Sequence, residues 1–167
     1  AFENVVATMV RFLDNVLDLT LWPLEQQRES ARLKRRIGIG FTGLGDMLVM
    51  MGLKYDSPEA RQVAGKIAAM MATAAYSGSS DLANERSSFP LFDETKFNEC
   101  SIVCRNLHLH PKALRNSHLI SIAPTGTTSI AFFDNVSNGI EPAFSWTYDR
   151  KKRNDQGGFD TYPVEDY

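Results

Sequence analysis

Cysteine is scarce: Cys100 and Cys104 are the only two in 167 residues. That is too few for the disulfide framework that small secreted domains use in place of a large core. The chain is therefore expected in a reducing, cytoplasmic compartment. Long apolar runs are missing as well, none approaching the roughly 20 residues that span a bilayer, so no membrane partner is expected. Nor is there an excess of one charge. Lys and Arg number 18 against 20 Asp and Glu, a net charge of -2 with a pI near 5.9. Without a general basic field, nucleic acid is not expected as a direct partner, although Arg150-Lys151-Lys152-Arg153 is a local patch able to attract an anion. No repeat or low-complexity tract is visible. The opening "AFENVVATMVRFLDNV" has Glu3 and Asp14 but no basic leader, so it does not read as a signal peptide. It has no initiating Met and starts inside a helical pattern, which suggests a piece of something larger.

What is present is the composition of an ordinary globular domain, 43% hydrophobic and 23% charged. Phe2, Val5, Val6, Met9, Phe12, Leu13, Val16 and Leu17 follow the spacing of an amphipathic helix that should stop before Trp22-Pro23. The charged stretch from Glu25 to Arg36 is expected on solvated faces. Ile37 to Phe41 reads as a short strand and Asp46 to Met51 as a helix body. Ser57-Pro58 supplies an N-cap and a first-turn proline for a helix running to about Asn84. Its alanines (Ala60, Ala64, Ala68, Ala72, Ala75) permit close approach, while Gly65 and Gly78 each weaken it by about 1 kcal/mol. Ser87 to Phe92 reads as a loop and Pro111 to Arg115 as one helical turn. Leu119 to Ala123 reads as a buried strand, and Ala143 to Tyr148 as another. Residues 151–158 read as a turn or a mobile excursion, with residues 151–167 as a tail. The pattern is helix-rich with few short strands, an α/β or α+β chain forming one partial domain over residues 1–167.

Gly38-Ile39-Gly40-Phe41-Thr42-Gly43 spells G-x-G-x-x-G. A dinucleotide turn needs an apolar strand before the glycines and an acidic residue closing a strand about 20 positions later. Here Arg32-Leu33-Lys34-Arg35-Arg36 precedes them, and Asp56 leads into the Ser57 cap. The preferred reading is that the glycines let the backbone pass close to a packed neighbour.

Ser121-Ile122-Ala123-Pro124-Thr125-Gly126-Thr127-Thr128-Ser129 has the chemistry of an anion cradle. Gly126 lets amides turn inward, and Thr125, Thr127, Thr128 and Ser129 offer hydroxyls. Hydrogen bonds to a charged acceptor contribute roughly 1.5–3 kcal/mol each, so three or four hold a diphosphate without a lysine. A strand-to-helix turn capped by threonines is the alternative.

The stretch "LRNSHLISIAPTGTTSIAFFDNVSNGIEPAFSWTYDRK" resembles the C-terminal barrel segment of ribonucleotide reductase large chains, the adenosylcobalamin-dependent class in particular. In that family a P-T-G-T loop holds the substrate's phosphates through amides and hydroxyls. It falls on Pro124, Thr125, Gly126 and Thr127, with Thr128 next; "NGIEP", Asn138 to Pro142, is a second hallmark. "RRIGIGFTGLGDML" resembles the segment preceding that loop, and the likeness covers about Phe2 to Arg153. The resemblance implies a helix-rich α/β fragment of a ten-stranded barrel. It also implies radical reduction of ribonucleotides to 2′-deoxyribonucleotides, an adenosylcobalamin radical source and a thiol reductant such as thioredoxin. The remainder of the catalytic chain is an implied partner. The family's radical loop, N-x-C-x-E, is not in this sequence, where Asn98-Glu99-Cys100 has the wrong order and spacing. No catalytic residue is therefore assigned, and the segment alone is expected to be inactive and, with apolar edges bare, to self-associate. The competing readings are a non-catalytic interaction module and a phosphate-binding domain of another nucleotide enzyme.

"CSIVCRNLHLH" gathers Cys100, Cys104, His108 and His110, but its spacing fits no closed zinc pattern. Half-buried thiols with surface imidazoles are expected, with no metal. Asp46 is read as answering the helix dipole, Glu141 as structural beside the pocket, and Trp22 and Trp146 as core or interface aromatics.

Overall fold

The computed structural model of the chain describes residues 1–133, 137–143, 145 and 147–165. In order these form α1 (Phe2–Leu19), α2 (Glu25–Lys34), α3 (Leu44–Met50), α4 (Pro58–Arg86), α5 (Glu94–Cys100), α6 (Ile102–Leu107) and α7 (Gly126–Thr128). A π-turn (Ser129–Phe133) and two strands, β1 (Thr147–Arg153) and β2 (Phe159–Glu165), complete the order. The chain divides into two compact units, residues 1–40 with 63–122 and residues 41–62 with 123–167. No described helix is long and apolar enough to cross a membrane.

In the first unit, α1 ends at Leu19 because Thr20 turns extended ahead of Pro23. Its buried stripe is Val6, Val10 and Asp14 at four-residue spacing. Most of the expected core face is instead open. Phe2, Val5, Met9, Phe12 and Val16 are 38–61% exposed. The helix is apolar on two stripes, and α4 covers one of them. There Gly78 sits where an added Cβ would lie 3.1 Å from the Ala7 Cα, so α1 and α4 approach backbone to backbone. Ala72, Ala74 and Ala75 are buried along α4, as its small-residue pattern implies, whereas Ala68 is exposed. The Ser57 hydroxyl accepts from the Ala60 amide at 3.1 Å, confirming the expected cap.

Arg35 departs from the solvated reading of its segment. It ends α2 in the left-handed region (φ 43°) and is buried. The two expected strands reduce to one parallel bridge, Ile39 to Ile120, flanked by Ile37 N–H to His118 O (3.0 Å) and Ser121 N–H to Ile39 O (3.0 Å). Leu119 is buried, but Ile122 is 45% exposed. The glycine motif does what close approach requires: a Cβ on Gly38 would meet the Ser121 Cβ at 2.7 Å, and one on Gly40 would overlap the Ser121 carbonyl.

Pro111 to Arg115 forms no helical turn. Its backbone groups go to tertiary partners: the Leu114 carbonyl accepts from Phe89 N–H (2.9 Å), and Arg115 N–H donates to Ser79 O (3.1 Å). Segment 94–107 makes two helices separated at Ser101, whose hydroxyl caps the second by accepting from Cys104 N–H at 3.2 Å.

In the second unit, Gly43 (φ 72°) opens α3 in a conformation that glycine adopts without steric cost. The expected strand at 143–148 begins at Thr147 and continues to Arg153; Phe144 and Trp146 lie outside the described residues. Residues 151–158 belong to an antiparallel hairpin, in which Arg153 pairs with Phe159 and the Asn154 side chain accepts from Gly158 N–H at 2.8 Å. Every residue of β1 is exposed, so no apolar alternation marks it in the sequence.

Candidate functional site

The second unit holds Pro124–Thr128 against the loop Ser137–Pro142. Gly43 N–H donates to Ser137 O (3.0 Å) and Leu44 N–H to Gly139 O (3.3 Å), fastening that loop to the start of α3. Gly45 allows the approach, since a Cβ there would lie 2.8 Å from the Glu141 carbonyl oxygen. Asp46 accepts from the Ser137 amide at 2.8 Å. Its first-turn position therefore serves a tertiary bond as well as the dipole. The Ser137 hydroxyl, fully buried, donates to Glu141 O at 2.5 Å.

Glu141 closes the loop on itself. Its Oε1 accepts from Asn138 N–H and its Oε2 from Gly139 N–H, each at 3.0 Å. A carboxylate engaged by two amides has a structural role, in line with the sequence reading. The loop's outward product is the Asn138 carbonyl, which accepts from the Thr125 hydroxyl and, at 2.9 Å, from the Ser129 hydroxyl.

Those two bonds correct one expectation. The sequence offers four hydroxyls as donors to an anion, but Thr125 and Ser129 direct theirs to Asn138, leaving Thr127 and Thr128, both exposed. Thr125 is held at φ 38°, ψ 24°, an uncommon left-handed setting for a β-branched residue. The chain then makes one turn, in which Ser129 N–H reaches Thr125 O at 2.9 Å. The amides of Gly126, Thr127 and Thr128 precede the first donor of that turn, Ser129 N–H, and have no partner within it. Nothing lies within 4 Å of a Cβ position on Gly126. Amides left over by the turn, two hydroxyls on exposed residues and a bare glycine are groups that an anion's oxygens fit. Nearby in the same unit, Gly45, Asp46, Leu48, Tyr55, Ser137 and Pro142 help to line a mainly apolar cavity of about 190 Å³.

The cysteine and histidine residues do not converge. Cys104 is fully buried rather than half-buried, and the break at Ser101 prevents one helix face from carrying Cys100, Cys104 and His108. The Cys100 side chain lies outside the described residues. His108 caps α6 in the left-handed region (φ 53°), and His108 and His110 are exposed. Among the described residues, no group of three potential ligands assembles.

A second cluster, in the first unit, was not anticipated. Asp14, with no exposed surface, accepts from Arg35 Nε (2.9 Å), Asn116 Nδ2 (3.0 Å), Arg115 Nε (3.2 Å) and Arg86 Nη1 (3.3 Å). Burial pushes its carboxyl up. The Arg35 hydrogen bond and charge, with Arg115, more than offset this and hold the carboxyl below the usual range. Asn116 is anchored to Asp14 and to the Ser79 hydroxyl. A signal for Asp14 existed in the sequence: it continues the Val6, Val10 spacing onto the buried stripe. No comparable signal marked Asn138 beyond its place in "NGIEP".

Residues 1–163 match the family model described as ribonucleotide reductase, barrel domain. A vitamin B12-dependent ribonucleoside-diphosphate reductase of Mycobacterium tuberculosis is 36% identical over 89% of this chain and 20% of its own length. One from Thermoplasma acidophilum is 33% identical over 97% of this chain and 20% of its own length. A ribonucleoside-diphosphate reductase large chain of Encephalitozoon cuniculi is 29% identical over 90% of this chain and 21% of its own length. The chain thus spans about a fifth of the length of the curated relatives it matches.

Proposed function

Since the chain belongs to the ribonucleotide reductase barrel-domain family, we propose that it is part of the catalytic barrel of such an enzyme and supplies its substrate-phosphate turn. The complete barrel has the ten-stranded α/β architecture of the family, and the complete protein reduces ribonucleotides to 2′-deoxyribonucleotides by radical chemistry in the cytoplasm. Pro124, Thr125, Gly126, Thr127 and Thr128 form the turn. The carrying observation is that Thr125 and Ser129 are tied back to Asn138, while Thr127 and Thr128 are exposed and nothing lies within 4 Å of a Cβ position on the half-buried Gly126. These groups bind and orient the nucleotide and do no chemistry themselves. The relatives named ribonucleoside-diphosphate reductases favour a diphosphate substrate.

The Mycobacterium tuberculosis and Thermoplasma acidophilum relatives are among those named as B12-dependent, and adenosylcobalamin is the proposed radical source of the complete enzyme. His108, His110 and His118 line none of the cavities described near α1–α2 or α3, and no described residue is assigned to that group. The N-x-C-x-E radical loop is not in this sequence, so the radical step is assigned to the remainder of the catalytic chain.

The test is substitution at Gly126 in the full-length protein. Gly126→Val places a branched side chain in the space assigned to phosphate oxygens. It should raise KM for a ribonucleoside diphosphate at least tenfold with little change in melting temperature. Unchanged KM in a folded variant would remove the turn from the substrate site.

A further inference from the structure

Among the described residues, the two side-chain bonds that tie the proposed phosphate turn to its neighbouring loop end on Asn138, the residue that Glu141 holds. Thr125 and Ser129 bracket the turn, and both hydroxyls end on the Asn138 carbonyl. The Asn138 amide on one side of that residue and the Gly139 amide on the other are both held by the Glu141 carboxylate, at 3.0 Å each. The peptide carrying the Asn138 carbonyl is the Asn138–Gly139 peptide itself, so Glu141 Oε2 grips its N–H while the two hydroxyls grip its oxygen. A Cβ on Gly139 would lie 3.2 Å from both the Ala123 carbonyl oxygen and Glu141 Oε2, so a side chain there would press on the carboxylate. The Ser137 hydroxyl, by donating to the Glu141 carbonyl, fixes the main chain from which the carboxylate reaches.

We infer that Glu141 is a positioning residue for phosphate recognition. By orienting the Asn138–Gly139 peptide it holds Thr125 in its left-handed setting and so aims the following amides at the nucleotide's phosphate. This rests on the phosphate-turn reading above. It makes an unusual demand of sign. A carboxylate near a phosphate site opposes anion binding through its field, so neutralising it should tighten binding if the field is what matters. If Glu141 acts through geometry, neutralising it weakens binding. Gln keeps one acceptor oxygen, now uncharged, and presents an NH₂ group to the second amide, so one bond is lost and the other is no longer charge-assisted.

The experiment compares Glu141→Gln, Glu141→Asp and Gly126→Val with the parent in the full-length catalytic chain. It measures binding of a ribonucleoside, its monophosphate and its diphosphate, with a thermal melt of each variant. The inference expects Glu141→Gln to weaken diphosphate binding about tenfold, to leave the unphosphorylated nucleoside unchanged, and to be partly rescued by Asp, which retains both acceptors. Tighter or unchanged diphosphate binding in Glu141→Gln, with weakened binding in Gly126→Val, overturns the positioning role while the turn keeps its assignment. Equal weakening of nucleoside and diphosphate by Glu141→Gln, or failure of that variant and Asp alike to fold, overturns it too, by reducing Glu141 to general structure. If neither Glu141→Gln nor Gly126→Val alters the phosphate-dependent part, the turn reading falls and the inference with it.

Discussion

Replacing Asp14 with Ala tests how the first unit is held together. The carboxylate has no exposed surface and satisfies three guanidinium groups and one amide from sequence positions 35, 86, 115 and 116. After truncation, Arg35, whose side chain is 8% exposed, keeps Asp18 at 2.8 Å but loses its buried partner. Arg115, 14% exposed, keeps only the Arg86 and Ser87 carbonyls among its acceptors described here. Asn116 Nδ2 loses its acceptor. Removing one member of a buried ion pair costs about 3–5 kcal/mol, because the remaining charge stays desolvated. Retained Asp18 and the partly exposed Arg86 place the expected value toward the lower end. At roughly 2–4 °C per kcal/mol for a domain of this size, the melting temperature should fall by about 6–15 °C. Thermal and urea denaturation of the intact protein measure it.

The same residue sets a pH dependence. Burial opposes the charged form of Asp14, but Arg35 and Arg115 prevail and lower its folded pKa below the ordinary 3.8. Its stabilisation is thus present above the unfolded pKa and lost as pH falls through the folded one, so the loss begins near pH 4 and continues below it. Asp14→Asn should flatten stability across that window. A loss under about 1 kcal/mol for Asp14→Ala, or an acid profile identical in Asp14→Asn, would refute the reasoning.

Two glycine substitutions should have opposite signs. Gly40→Ala drives a methyl into the Ser121 carbonyl and should cost about 1–3 kcal/mol, whereas Gly65→Ala, with nothing within 4 Å, should stabilise α4 by about 0.5–1 kcal/mol; urea midpoints decide both. The open stripe of α1, including Val5 at 61% and Phe12 at 55% exposure, should make the isolated chain associate at micromolar concentration. Val5→Glu with Phe12→Glu should shift its sedimentation toward monomer, and an unchanged profile would clear α1 of the association.

What the sequence determines here is what near neighbours and backbone chemistry decide. The 3.6-residue period marks α1, the Ser57-Pro58 pair starts α4, and Gly38 and Gly40 announce a close backbone approach, since each depends on residues a few positions apart or on having no side chain. That the chain turns after Pro124 was legible for the same reason. Tertiary structure alone decided which of two apolar stripes of α1 is covered. It sent the backbone of Pro111 to Arg115 to Ser79 and Phe89 instead of into a helical turn, and it drew Arg35 inward to Asp14, 21 positions away. The hairpin at residues 147–165 was hidden because a ribbon exposed along all of β1 needs no apolar alternation. The use of the Thr125 and Ser129 hydroxyls turned on a carbonyl 13 and 9 residues on. Such bonds form only when loops meet, and a hydroxyl's composition is silent on whether its partner will be an anion or the protein's own backbone.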